Sequence, residues 1–207
     1  MTAPEYRIIT KASSHQDIQD IIPKILKIQA AWIVSRETSA PSRGFLISSF
    51  SQAELSSLIQ KDGMLICAIH GTEILGYCLT TPISEFTELY QDSADGDLRT
   101  TSPFSATVGT HRYLYQIATD PTQLGHGIGQ GLLEVVKQAS AGLSFLTDVL
   151  TSPIENSASR RFFQKSGFIP VGELTLKSYR DFGELKSEVL EFTPRSPLVK
   201  TASSSRP

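Results

Sequence analysis

Two cysteines, two methionines and one tryptophan stand among 207 residues. That is too little sulfur for a disulfide-stapled secreted scaffold. Cys67 and Cys78 fall in what read as neighbouring strands, where buried free thiols are expected rather than a bridge. The four histidines, His15, His70, His111 and His126, show no ligand spacing with cysteine or carboxylate, so no metal is expected. The net charge is −2. Without a basic excess, no nucleic-acid partner is expected. No apolar run approaches the roughly 20 residues of a membrane span. The opening Met1-Thr-Ala-Pro-Glu-Tyr-Arg7 lacks an apolar signal core. A cytoplasmic protein that does not enter membranes is the expectation. The chain has no internal repeats.

What is present suits one folded domain. The chain is 40% hydrophobic and 19% charged, ordinary for a globular protein with a real core. Residues 1–193 read as a single domain. Residues 194–207, rich in Ser, Pro and basic residues, lack periodicity and are expected to be a disordered tail. Oligomeric state has no signature; a homodimer is the starting expectation because it is the commonest assembly.

Tyr6–Thr10 predicts a first strand. Ser14-His-Gln-Asp17 is a capping signature opening a helix to about Trp32, with Ile18, Ile21, Ile22, Ile25 and Ile28 on one face. Pro23 removes a donor from this run, so a kink or two short helices are expected. Gly44–Ile47 reads as briefly extended, and Ser51 with Glu54 caps a helix to about Gln60. Met64–Ile69 and Ile74–Thr80 flank a hairpin signal at His70-Gly-Thr-Glu73. Pro82–Gln91 predicts a short helix. Asp92–His111 is long for a connection, and the acidic residues Glu85, Glu88, Asp92, Asp95 and Asp97 suit either a cationic acceptor or a solvated loop. Phe168–Thr175 and Glu188–Phe192 read as a closing strand pair.

Most of the functional signal lies between Tyr113 and Phe168. An extended run, Tyr113-Leu-Tyr-Gln-Ile-Ala-Thr119, turns at Asp120-Pro121. The cluster Leu124-Gly-His-Gly-Ile-Gly129 then runs into an amphipathic helix. The N–H groups of a helix start lack internal partners and carry partial positive charge. Glycines let an anion approach that backbone closely. The pattern fits neither the dinucleotide fingerprint nor a P-loop. By itself the run is either a phosphate site or a close-packed connection. A buried strand, Phe145-Leu-Thr-Asp-Val149, leads into a second helix from Ser157 to Ser166. Asn156 is a natural N-cap there, and Gly167 suits a left-handed stop.

Three segments in this order resemble the GNAT-type N-acyltransferase superfamily: Ile117-Ala-Thr-Asp-Pro121, Leu124–Gly129, and Asn156-Ser-Ala-Ser-Arg-Arg-Phe-Phe-Gln-Lys-Ser-Gly-Phe168. The resemblance implies an α/β fold with a mixed, mostly antiparallel central sheet flanked by helices on both faces. It implies acetyl-CoA as co-substrate. The pyrophosphate would lie on the amides of Leu124, Gly125, His126, Gly127, Ile128 and Gly129. The pantetheine arm would pair with Ile117, Ala118 and Thr119 and be helped by Asn156. The acceptor would be a primary amine of a small molecule or peptide, lined by Arg36–Ser49. Two positions depart from the family pattern: Leu124 replaces an Arg or Gln, and Phe163 replaces the tyrosine that protonates the leaving thiolate. Phenylalanine has no proton to give. Tyr113 and Tyr115 are the nearest alternative donors in sequence.

Asp148, on the second core strand, is either the general base or a hydrogen-bonded strand-end residue. Tyr115 and Gln116 are candidates for positioning the amine. Arg160 and Arg161 either meet the nucleotide 3′-phosphate or form a solvated helix face. A binding module that holds acyl-CoA with weak or no transfer is the alternative function.

Overall fold

Ser14 and Ser51 begin the first two helices by capping them. The computed structural model describes residues 3–35, 41–90, 96–100 and 109–194. Ser14 accepts a hydrogen bond from the Asp17 N–H and opens α1 (His15–Ala30). Ser51 and Glu54 form a reciprocal capping box ahead of α2 (Gln52–Gln60). Ile18, Ile21, Ile22, Ile25 and Ile28 are buried along one face of α1. Pro23 neither splits the helix nor ends it: α1 is one element with Pro23 inside. Pro23 is exposed, and its cost to the helix is the one N–H donor it lacks.

The strands are β1 (Glu5–Ile9), β2 (Met64–His70), β3 (Glu73–Pro82), β4 (Gly96–Thr100), β5 (His111–Thr119), β6 (Ser144–Ser152), β7 (Ile169–Tyr179) and β8 (Gly183–Phe192). They form one sheet in the order β1-β2-β3-β5-β6-β8-β7-β4. Every neighbouring pair is antiparallel except β5 and β6. Alternate residues along β2 face opposite layers. Leu65 and Cys67 pack with α1 and α2, whereas Ile66 and Ala68 pack with α4 (Ile128–Ala139). Phe163 of α5 (Ser157–Lys165) joins the α4 layer. On α3 (Ile83–Tyr90), Phe86 lies with its ring centroid 5.2 Å from that of Tyr113 on β5.

The expected mixed, mostly antiparallel α/β architecture is therefore present. Two details differ from expectation. The closing strands are longer than predicted, and β4 lies inside the Asp92–His111 segment read as a connection. With one apolar residue, Leu98, β4 has no legible periodicity; its order comes from pairing with β7. Gly172 permits that pairing, because a Cβ there would lie 2.6 Å from the Arg99 carbonyl oxygen. The expected tail from 195 onward, Asp92, Asp95 and 36–40 lie outside the described residues.

The parallel pair sets up the rest. β5 and β6 are in register only at His111↔Ser144, Arg112↔Phe145 and Tyr113↔Leu146. On its other side, β5 slips against β3 between Leu79↔Gln116 and Thr80↔Leu114, leaving Tyr115 as an extra residue. A bulge of this kind bends the strand and re-aims side chains. Beyond Tyr113 the two strands part.

Cys67 and Cys78 are buried free thiols on opposite faces of the sheet, in the α1 and α4 layers respectively. Burial pushes the Cys67 thiol up to about 12, with Arg7 opposing weakly, and raises Cys78 further. Both thiols are therefore expected to resist a thiol-specific chromophoric reagent at pH 8 and to react at once in denaturant; rapid native labelling would contradict the burial. The sign of the pH effect follows. The folded-state values lie above the ordinary thiol value of roughly 8.5. This contribution to stability is thus complete below that pH and is lost as pH rises toward 12.

Candidate functional site

The glycine turn is built from its preceding aspartate. Asp120 accepts from the N–H of Thr122 at 2.8 Å and from its hydroxyl at 2.6 Å, fixing a 3₁₀ turn at Pro121–Gln123. Gly125 and Gly127 then adopt φ of +80° and +76°. A Cβ at either would meet nothing within 4 Å. Backbone conformation, not crowding, therefore demands glycine there. α4 opens at Gly127 with no side-chain cap, which leaves first-turn N–H groups for an external acceptor. Gly129 serves packing instead: its Cβ position is 3.5 Å from the Phe162 ring. His126 is exposed.

Where β5 and β6 part, two cavities meet. The smaller, about 180 Å³, is bounded by Ala118, Thr119, Leu124, Gly129, Phe162 and Trp32. The Trp32 indole N–H donates to the Thr119 carbonyl at 2.7 Å and closes that end. The larger, about 400 Å³, lies between Tyr113–Ile117 and Thr147–Leu150. Phe45, Leu46, Ile117 and Ser159 border both, so the two cavities adjoin through the splayed sheet.

Asp148 reaches the larger cavity half-buried and accepts a 2.6 Å hydrogen bond from the Tyr113 hydroxyl. Tyr113 itself is buried, with its ring centroid 5.1 Å from that of Tyr115. Burial, reinforced by Tyr179, Asp148 and Glu85, raises the Tyr115 hydroxyl well above its ordinary range. It therefore stays protonated at neutral pH and is competent to donate.

Gln116 borders the same cavity, but its amide is engaged. Its Oε1 accepts from Gln29 Nε2 at 2.7 Å and from the Tyr77 hydroxyl, and its Nε2 donates to the Ser48 carbonyl at 3.1 Å. Gln29 in turn accepts from the Phe50 N–H at 2.8 Å. This buried network ties the α1–α2 connection to β5. Asn156 acts similarly on the other side of the channel. It caps α5 through the Ser159 N–H and donates to the Phe45 carbonyl at 2.9 Å. Phe45 to Ser48, part of the connection expected to line the acceptor site, do line the larger cavity.

Phe163 borders the larger cavity but sits in the α4 layer, against Phe162 and Phe168. Tyr115 packs with the α1 layer on the opposite face. Arg160 makes a two-point contact with Glu188 at 2.8 and 2.9 Å, which leaves it ill suited to a phosphate. Arg161 is exposed. Among the described residues, no cluster of three or more metal-ligating side chains occurs, and no helix is long and apolar enough to cross a membrane.

A model of the acetyltransferase (GNAT) family matches residues 30–168. The chain belongs to the GNAT family. No curated protein matches the chain. Solved structures repeat the fold at low identity. Ribosomal-protein-S18-alanine N-acetyltransferase from Escherichia coli shares 13% identity at TM-score 0.59, over 95% of this chain and 98% of that one. Arabidopsis thaliana NAA60, in complex with a bisubstrate analogue, shares 14% at TM-score 0.60, over 94% and 99%. PaiA N-acetyltransferase from Thermoplasma acidophilum, in complex with coenzyme A, shares 14% at TM-score 0.56, over 93% and 100%.

In this GNAT chain, Tyr179 and Arg180 also border the larger cavity, and neither stood out in the sequence. The turn signal Asp181-Phe-Gly183 marks the hairpin that carries them, yet nothing local shows that it borders the same cavity as Asp148.

The Gln116 network yields a test. Gln116→Leu would strand Gln29, Tyr77 and the Ser48 carbonyl in the interior. An unmet buried polar group costs about 1–3 kcal/mol, so the variant is expected to lose at least about 2 kcal/mol in urea denaturation. Unchanged stability would show that the network contributes nothing to holding the connection.

Proposed function

We propose that this protein is an acetyl-CoA-dependent N-acetyltransferase acting on a primary amine of a small molecule or peptide. The single observation that carries this reading is the pair of adjoining cavities in the β5–β6 splay. One is bordered by the glycine turn, the other by Asp148. The PaiA neighbour binds coenzyme A, and two neighbours are named for acetyl transfer to a protein's alanine or studied with a bisubstrate analogue.

The residues present fit such a co-substrate. Gly125 and Gly127 take left-handed conformations that leave the α4 amides open to phosphate oxygens. Ile117, Ala118 and Thr119 lie on the part of β5 with no β6 partner, so that edge is available to pair with the amide-bearing arm. Leu124 to Gly129 would hold the pyrophosphate through backbone amides, which makes the loss of an Arg or Gln at Leu124 tolerable. Asn156 would act indirectly by fixing Phe45 at the channel wall. Bound acetyl-CoA supplies an activated thioester carbonyl.

The chain's own groups then divide the work. The N–H groups near Ile117 on the open β5 edge polarise the carbonyl. Asp148, oriented by Tyr113, takes the proton that the amine must shed as its nitrogen lone pair forms the new C–N bond. The C–S bond breaks with its electron pair passing to sulfur. Phe163 cannot protonate that sulfur, so water or the Tyr115 hydroxyl supplies the proton. Gln116 positions the amine through the connection it anchors rather than by touching it.

Titration calorimetry with acetyl-CoA, followed by an amine-acceptor screen, tests the reading: micromolar binding is expected, and no binding at millimolar ligand would refute it. Asp148→Asn is expected to lower kcat by about 10²–10⁴-fold, the range of a positioned general base, with acetyl-CoA affinity retained. An unchanged rate would remove Asp148 from the chemistry.

Phe163 favours a second reading, an acyl-CoA-binding module with weak or no transfer. Under it, wild type binds acetyl-CoA but turns over slowly, and Phe163→Tyr raises the steady-state rate. No gain in Phe163→Tyr would mean that another group already protonates the thiolate.

A further inference from the structure

Ser159 stands where the two cavities adjoin. Four residues border both of them: Phe45, Leu46, Ile117 and Ser159. Three of the four carry hydrocarbon side chains. Ser159 alone among them has a side-chain proton to donate to a ligand. Tyr113 and Tyr115 border only the larger cavity, and Thr119 only the smaller.

The hydroxyl is placed and uncommitted. Ser159 is the third residue of α5 and is half-buried. Its N–H donates to Asn156 Oδ1 at 3.3 Å, whereas its hydroxyl makes no hydrogen bond among the described residues. Ser166, at the other end of α5, instead gives its hydroxyl to the Phe162 carbonyl at 2.9 Å. The facing wall leaves the Ser159 hydroxyl open. Its Oγ lies 3.5 Å from where a Cβ on Gly44 would stand. Gly44 has φ +88°, which favours glycine, and the missing Cβ keeps the approach to the hydroxyl clear. The first turn of α5 adds partial positive charge on the same side.

The order of groups along acetyl-CoA says what meets this hydroxyl. The glycine turn borders the smaller cavity and Asp148 the larger. With the pyrophosphate at the one and the amine at the other, the scissile C–S bond lies between them, where the cavities adjoin. Apolar Phe45, Leu46 and Ile117 surround that place, so a hydrogen bond there is stronger than in water. As the amine nitrogen forms the C–N bond and sheds its proton to Asp148, the C–S electron pair passes to sulfur. An alcohol holds its proton more tightly than a thiol does. Ser159 therefore keeps its proton and stabilises the thiolate, and water protonates the sulfur afterwards.

Resting on the N-acetyltransferase reading above, we infer that Ser159 is a catalytic residue whose hydroxyl donates a hydrogen bond to the coenzyme A sulfur as the thiolate departs. It fills the place left by Phe163, one helical turn further along α5.

The bound thiol itself tests this. Wild type and Ser159→Ala are each loaded with coenzyme A, and thiolate absorbance in the ultraviolet is followed against pH, with the desulfo-coenzyme A complex as blank. A hydrogen bond to the charged form lowers a pKa, so the thiol is expected to titrate about one pH unit lower in wild type. With an amine from the acceptor screen, Ser159→Ala should lose about tenfold in kcat with acetyl-CoA affinity retained. Alanine is the better helix former, so urea denaturation should show the variant at least as stable as wild type, which separates lost chemistry from lost folding. Phe163→Tyr added to Ser159→Ala returns a hydroxyl on the same helix face and should recover much of the loss, whereas in wild type it should add little. The same thiol pKa in both proteins, an unchanged kcat, or an equal gain from Phe163→Tyr in both backgrounds overturns the inference. If coenzyme A binds and amines are acetylated under any of those outcomes, the inference alone fails. If coenzyme A binds neither protein, the underlying reading fails with it.

Discussion

A sheet that stops pairing in its middle governs this protein. Parallel β5 and β6 hold only three residue pairs, then diverge as β5 bulges at Tyr115. Backbone groups in a folded interior must find partners, so a splay of this kind has to be compensated. The walls of the gap are tied elsewhere. Trp32 bonds the Thr119 carbonyl, Gln116 and Gln29 bind the α1–α2 connection, and Asn156 holds Phe45. The cost of leaving strands apart is offset by fixing the surrounding connection with buried polar side chains.

Those ties also distinguish supporting residues from reacting ones. Gln116 and Asn156 border the channel, yet their amides are engaged with protein partners. Their effect on a ligand is through the wall they position. Asp148 is different. It stands on the opposite strand, half-buried at the larger cavity, and accepts a short hydrogen bond from the neighbouring strand's Tyr113. The bond joins the two strands near the last registered pair, so the carboxylate sits near the apex of the splay and borders the larger cavity.

The parts of the site that were legible in the sequence are the locally encoded ones. Asp120, Gly125 and Gly127 form their turn through contacts within a few residues, and the φ angles there admit little but glycine. Ser14, Ser51 and Asn156 cap helices through N–H groups three positions away. Each works within one turn of backbone, so spacing alone exposes it. β4 shows the contrary case: its five residues carry no strand pattern, and pairing with the β7 edge, permitted by the absence of a side chain at Gly172, orders it.

The sequence by itself determined the order of the elements other than β4, the glycine turn and the family. The tertiary structure alone decided that Tyr113 meets Asp148 across 35 positions, that Gln29 and Gln116 close a network across 87, and that Arg180 borders the same cavity as Asp148. These pairs depend on strand register and on a one-residue bulge. A slip of one residue would turn every later side chain to the other face, and no local pattern records which slip the assembled sheet adopts.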